Sequence, residues 1–141
     1  MNRLDYDLCS MQEARILIEN GRDAQHVLAS FSQERLDDIV EAMAEAVYPH
    51  AKELALMSAE ETGFGNWEDK YIKDIFASRY VCRQMKGMKT VGIIAEDREK
   101  KTLDIGIPVG VITALPPCTS PVSTTIYNTL IAIKSGNAII F

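Results

Sequence analysis

The stretch from Ile107 to Phe141, IPVGVITALPPCTSPVSTTIYNTLIAIKSGNAIIF, restricts the possible folds more than any other part of the chain. Val109 to Leu115 is a short apolar run rich in β-branched residues, the pattern of a strand covered on both faces. Pro116-Pro117-Cys118-Thr119-Ser120 stops it. A helix is expected from Ser120 or Pro121, since Ser is a favoured N-cap and Pro suits the first helical position, where a missing N–H costs nothing. Ile126, Leu130, Ile131 and Ile133 are its inward residues, and Gly136 is placed to close it in the left-handed conformation. Asn137 to Phe141 then reads as a second strand. Strand, helix and strand at this spacing form one βαβ unit with parallel strands and a right-handed crossover. Ligands of open parallel sheets lie beyond the carboxyl ends of the strands, which here is the proline turn. No G-x-G-x-x-G follows the strand, so a dinucleotide would be held by other means. On these residues alone a βαβ unit with no ligand stays open.

Upstream, residues 1–90 read as helices. Ser10-Met11-Gln12-Glu13 has the form of a capping box worth about 1 kcal/mol, opening a helix to about Ser30. Ala14, Leu17, Ile18, Ala24, Leu28 and Phe31 make its apolar face, and Gly21 weakens its middle. A second helix opens near Ser32 with Leu36, Ile39, Val40, Met43 and Val47 as a buried stripe, and Pro49 interrupts it. Ala51 to Thr62 resumes the helix until Gly63 and Gly65, with Glu60 and Glu61 as solvated carboxylates. Trp67 to about Met85 follows, with Tyr71, Ile72, Ile75, Phe76, Tyr80 and Val81 as its apolar positions. Trp67 is expected to pack over the start of this helix as a cap, the commoner use of such a residue, with a ligand platform as the alternative. Residues 91–107 are a hairpin, two strands flanking the charged turn Asp97 to Lys101. A lone hairpin is marginal in water, so it needs another surface, either the chain's own helices or a partner.

Composition removes several classes of function. A hydrophobic share of 47% with 25% charged residues is that of a globular protein, and a net charge of −5 offers no electrostatic footprint for nucleic acid. No apolar run reaches the roughly 18 residues of a membrane span, and the first residues lack a signal peptide's apolar core, so a cytoplasmic location is expected. Cys9, Cys82 and Cys118 form no C-x-x-C pair, and His26 and His50 are far apart, so neither a disulfide framework nor a metal site is expected.

The run PVGVITALPPCTSP, followed after the helix by SGNAIIF, resembles the aldehyde dehydrogenase superfamily, whose first cofactor strand reads P-x-G-V and ends in a proline turn. FSQERLDDIVEAMAEA and EETGFGNWEDKYIKD extend the resemblance over essentially the whole chain. It is most similar to the CoA-acylating branch, including the aldehyde half of bifunctional alcohol–aldehyde dehydrogenases. There the turn commonly reads P-T/S-T-N-P; Pro117, Thr119 and Pro121 match, while Cys118 and Ser120 depart.

The resemblance implies an α/β fold in which N-terminal helices and a hairpin lead into the first βαβ unit, residues 108–141, of a Rossmann-like NAD-binding domain. A truncated fold is expected, because Phe141 ends a strand that normally has further neighbours. The chain is then the N-terminal portion of a larger enzyme, a truncated product or one piece of a split protein, inactive by itself. The implied reaction interconverts an aldehyde and its acyl-CoA with NAD or NADP, coenzyme A being the co-substrate. A thiolate adds to the carbonyl, hydride passes to the nicotinamide, and CoA accepts the acyl group. That thiolate belongs to a later segment of the family fold, so Cys118 is not the nucleophile. Pro116, Pro117, Cys118 and Thr119 are implied cofactor-facing residues, with Thr119 as a possible oxyanion contact. The rival role for Thr119 and Ser120 is capping of the following helix. The hairpin is implied to be an oligomerisation arm, making a homo-oligomer. A non-acylating aldehyde dehydrogenase and a non-catalytic interaction module remain the alternatives, and a bacterial microcompartment remains an alternative location.

Overall fold

The computed structural model describes residues 5–141. Six helices, a hairpin and a parallel strand pair follow in chain order: α1 Tyr6–Leu28, α2 Gln33–Val47, α3 Ala51–Thr62, α4 Trp67–Ile75, α5 Val81–Met85, β1 Gly92–Asp97, β2 Thr102–Gly106, β3 Val111–Thr113, α6 Pro121–Lys134 and β4 Ala138–Ile140.

The core lies where α2, α6 and the segment joining α4 to α5 meet. Val40 and Ala44 of α2 pack with Ala77 and with Ile126 and Leu130 of α6, and Met43, Val47, Cys82, Met85, Val122 and Ile133 border them. The stripe expected on α2 is therefore the one that is buried. Ser32 caps this helix by accepting a bond from the Arg35 N–H at 3.2 Å, and the Pro49 interruption is a 3-10 turn over Tyr48–His50. Gly63, with φ of 67°, closes α3 in the left-handed conformation.

Three helix readings need correction. α1 begins at Tyr6, with Asp5 before it, so Ser10 to Glu13 lie within the helix and no capping box forms there. Leu17 and Ile18 are exposed, as are Ala14 and Ala24, while Leu28 and Phe31 are half-buried. The one buried residue of α1 is Gly21, where a Cβ would stand 3.0 Å from Val111 Cγ1 and 3.3 Å from Ile140 Cγ2. Gly21 is thus the close approach of α1 to β3 and β4 rather than a simple weakness.

The helix expected from Trp67 to Met85 is divided by a π-turn over Phe76–Tyr80, where the Ser78 hydroxyl donates to the Asp74 carbonyl at 2.7 Å and lies 3.3 Å from that of Ile75. Its buried face carries Lys70, Asp74, Ala77, Ser78 and Val81, whereas Ile72, Phe76 and Tyr80 are exposed. In α6, Ile126 and Leu130 are buried and Ile133 is half-buried as expected, but Ile131 faces out and Lys134 is buried instead. Lys134 reaches the Asp37 carboxylate at 2.6 Å, and that partner makes its burial tolerable.

β1 and β2 pair antiparallel with an irregularity between Ile93 and Ala95. Ile93, Ile94, Leu103 and Ile105 are exposed, so the hairpin does not pack its faces on the chain's own helices. Its base is tied to α2: Gln33 Oε1 accepts from the N–H groups of Thr90 and Val91 at 2.7 and 3.1 Å.

Candidate active site

β3 and β4 pair in parallel, Val111 with Ala138, Ile112 with Ile139 and Thr113 with Ile140. The strand is shorter than the run Val109 to Leu115, and both of those residues are exposed. Gly110, at φ of 124°, precedes it, and its carbonyl accepts the Ala138 N–H at 3.0 Å. Asn137 secures the entry to the pair: its Oδ1 accepts the Gly110 N–H at 2.9 Å. The exit of α6 is a Schellman closure, with Gly136 N–H to the Ile133 carbonyl and Asn137 N–H to the Ala132 carbonyl, both at 2.9 Å.

Between β3 and α6 the chain makes the proline turn. The Ala114 N–H donates to the Ile140 carbonyl at 2.9 Å, the last tie to the sheet, and the Ser120 N–H to the Pro117 carbonyl at 3.3 Å closes the turn. Pro116 is half-buried; Pro117, Cys118 and Thr119 are exposed. These four contiguous residues therefore form one surface at the carboxyl end of β3, leading into the N-terminus of α6. Ser120 precedes α6, but its side chain makes no capping hydrogen bond, and its hydroxyl instead lies 3.4 Å from that of Thr124.

Behind this turn is a buried polar group that the hydrophobic pattern did not reveal. Lys70 is 5% exposed, and its Nζ donates to Ser58 Oγ at 3.2 Å and to the Thr119 carbonyl at 3.1 Å. One helical turn on, Asp74 is 2% exposed and its Oδ2 has no hydrogen-bond partner among the described residues. Burial pushes its carboxyl up to about 6, against the opposing pull of Lys70 and Lys73. The legible signal was spacing: Lys70, Asp74 and Ser78 recur every fourth residue and share one helix face.

Ile72, Lys73, Phe76, Ala77 and Tyr127 line a groove together with Ser123 and Thr124 of the first turn of α6. A cavity of about 530 Å³ lies elsewhere, between α2, α5 and the end of α6. Two ion pairs line it, Arg79 with Glu45 at 3.1 Å and Lys134 with Asp37 at 2.6 Å, while the buried Arg79 Nε has no hydrogen-bond partner among the described residues. Burial, reinforced by Glu41 and Glu45, pushes the Cys82 thiol at its edge up, away from thiolate chemistry. No helix among the described residues is long and apolar enough to cross a membrane, and they contain no group of three or more His, Cys, Asp and Glu able to hold a metal.

Comparison with known proteins agrees with this arrangement. Over 132 residues, 94% of its length, the chain is 42% identical to the bifunctional aldehyde-alcohol dehydrogenase of Escherichia coli K12, of which it spans 15%. A probable aldehyde dehydrogenase from Listeria monocytogenes EGD-e superimposes with a TM-score of 0.94 at 51% identity, over 98% of this chain and 30% of that one. An acetylating aldehyde dehydrogenase from Geobacillus thermoglucosidasius gives 0.93 at 47% identity, over 97% of this chain and 30% of that one. Residues 4–141 match the aldehyde dehydrogenase family model, and with the proline turn standing between β3 and α6 the chain belongs to that family.

Proposed function

We propose that this chain carries the cofactor turn of an enzyme that interconverts an aldehyde and its acyl-CoA with NAD(P). The observation that carries the reading is the turn Pro116 to Thr119, exposed from Pro117 on, at the carboxyl end of β3, in a chain 47% identical to an acetylating aldehyde dehydrogenase. The chain spans 30% of that structure and 15% of the E. coli protein, so the whole reaction is a proposal.

The turn suits a nicotinamide. It presents proline rings and backbone with no carboxylate among Pro116 to Ser120, and it sits where parallel sheets bind ligands. When bound, NAD(P) accepts hydride from the substrate carbon. Pro116, Pro117 and Cys118 would form the floor against which the cofactor is held and from which water is excluded. The exposed hydroxyl of Thr119 donates one hydrogen bond to the oxyanion formed as the carbonyl is attacked, and one such donor is worth on the order of 2.7–4 kcal/mol. The groove of Ile72, Phe76 and Tyr127 accommodates the apolar tail of the aldehyde beside the first turn of α6. The attacking thiolate comes from another segment of the family fold, and Cys118 lines the site without attacking. The hairpin, apolar on exposed faces, serves as the arm joining subunits in a homo-oligomer.

The test is a chimera in which residues 5–141 replace the matching part of the Geobacillus enzyme, assayed for cofactor reduction with acetaldehyde in the presence and absence of CoA. CoA-dependent formation of reduced cofactor is expected. A folded chimera that turns over equally well without CoA, releasing free acid, would move the chain to the non-acylating branch.

A further inference from the structure

We infer that Lys70 is the positioning residue of the proline turn, holding the Thr119 carbonyl and thereby setting the direction in which the Thr119 side chain and the Ser120 N–H point. This deepens the proposed function and rests on it for its catalytic consequence.

A buried lysine is costly, because its ammonium gives up water and gains only what neighbours can return. Here the returns are the attraction of Asp74 one helical turn on and two neutral oxygens, Ser58 Oγ of α3 and the Thr119 carbonyl of the turn. An apolar side chain of similar length would fill the same space without that cost, so packing alone does not account for an amine at this position. The second acceptor does. Ser120 O is already taken by the Thr124 N–H as the first bond of α6, whereas Thr119 O lies one residue outside that ladder. Among the described residues, Lys70 supplies the hydrogen bond that reaches residues 115–119 from another element of the fold. The turn's own bond, Ser120 N–H to Pro117 O, is long at 3.3 Å. Fixing one carbonyl fixes a peptide plane, and that plane contains the Ser120 N–H and sets the Cβ direction of Thr119. A donor with three protons on a stem anchored in α4 thus registers the turn against the helical layer, with α3 steadying the amine from behind.

Hydrogen exchange of the chain, read by residue, tests the positioning directly. Lys70→Met and Lys70→Gln, the latter polar but too short for the carbonyl, are compared with Ser58→Ala, which removes the other acceptor and leaves the turn bond. Both Lys70 variants are expected to speed exchange at the Ser120 and Thr124 amides about tenfold or more, with α2 and the later turns of α6 within about twofold of the parent. Ser58→Ala is expected to leave Ser120 and Thr124 unchanged. Uniform acceleration across α2 and α6, or equal acceleration in Ser58→Ala, would mean that Lys70 is only a structural part of the layer and would overturn the inference. So would an unchanged turn in Lys70→Gln. In the chimera, Lys70→Met is expected to lower kcat about tenfold or more with KM for the aldehyde little changed. Unaltered kcat in an otherwise active chimera would contradict the catalytic consequence. A parent chimera without activity would refute the proposed function instead, and the exchange data would still decide the role of Lys70.

Discussion

Asp74→Asn should make the protein more stable at neutral pH and should flatten its dependence on pH. The Asp74 carboxyl is 2% exposed, its Oδ2 has no partner among the described residues, and burial raises it from 3.8 to about 6. Below pH 3.8 the group is neutral whether the chain is folded or unfolded, and it contributes nothing. Between 3.8 and 6 the unfolded chain ionises while the folded one keeps its proton, so stability falls as pH rises. Above 6 the folded group ionises too and the loss becomes constant. A shift from 3.8 to about 6 corresponds to roughly 3 kcal/mol at about 1.4 kcal/mol per pH unit. Local relaxation and water penetration around the carboxyl reduce this, leaving an expected difference on the order of 1–3 kcal/mol. The asparagine variant resembles the protonated acid and never pays this penalty. Urea unfolding of parent and variant at pH 4, 5, 6 and 7.5 gives two curves whose separation should grow between pH 4 and 6 in favour of Asp74→Asn. Parallel curves would show that the Asp74 carboxyl titrates alike in the folded and unfolded chains, and a variant that loses ground as pH rises would show that the fold stabilises the carboxylate; either result contradicts the raised pKa.

Other substitutions probe the layers around the turn. Gly21→Leu should cost about 2–3 kcal/mol in thermal unfolding followed by circular dichroism, because its side chain would enter Val111 and Ile140 and lift α1 from the strand pair. Asp37→Ala should cost about 3 kcal/mol by leaving the Lys134 ammonium buried without its partner, and Lys134→Met should cost clearly less; equal losses would speak against the pair's asymmetry. In the chimera, Thr119→Ala should lower kcat on the order of a hundredfold to a thousandfold with unchanged thermal stability, and Cys118→Ser should retain substantial activity. Lost stability with intact turnover in Thr119→Ala would return that residue to a capping role.

How far the fold could be read from the residues depended on what each helix buries. α2 has one apolar stripe, Leu36, Val40 and their neighbours, and solvated carboxylates opposite, so periodicity alone put the correct face inward. Gly63 and Gly136 were legible because each sits at a left-handed closure that other residues enter at a cost. α4 misled because it has two stripes. Its apolar one, Ile72 and Phe76, faces out along the groove, while its polar one turns inward. That inversion is possible only because Lys70 finds Ser58 and Thr119, partners 12 and 49 residues distant in sequence, which no local window contains. α1 misled for a related reason: its contact with the sheet is made by Gly21, a residue with no side chain to enter an apolar pattern. The position of the turn was legible from its prolines and the flanking apolar runs, and the family from its motifs. The lysine that ties the turn down was not, since its meaning lies in tertiary contacts.

Pro116 to Thr119 is proposed to face the nicotinamide side of the cofactor. The most direct measurement is residue-level hydrogen exchange of the active chimera with and without saturating NAD. Protection is expected at Cys118, Thr119 and Ser120 and in the first turn of α6, with the β1–β2 hairpin unchanged. Saturating cofactor that protects other parts of the chimera and leaves residues 116–124 exchanging as before would contradict it.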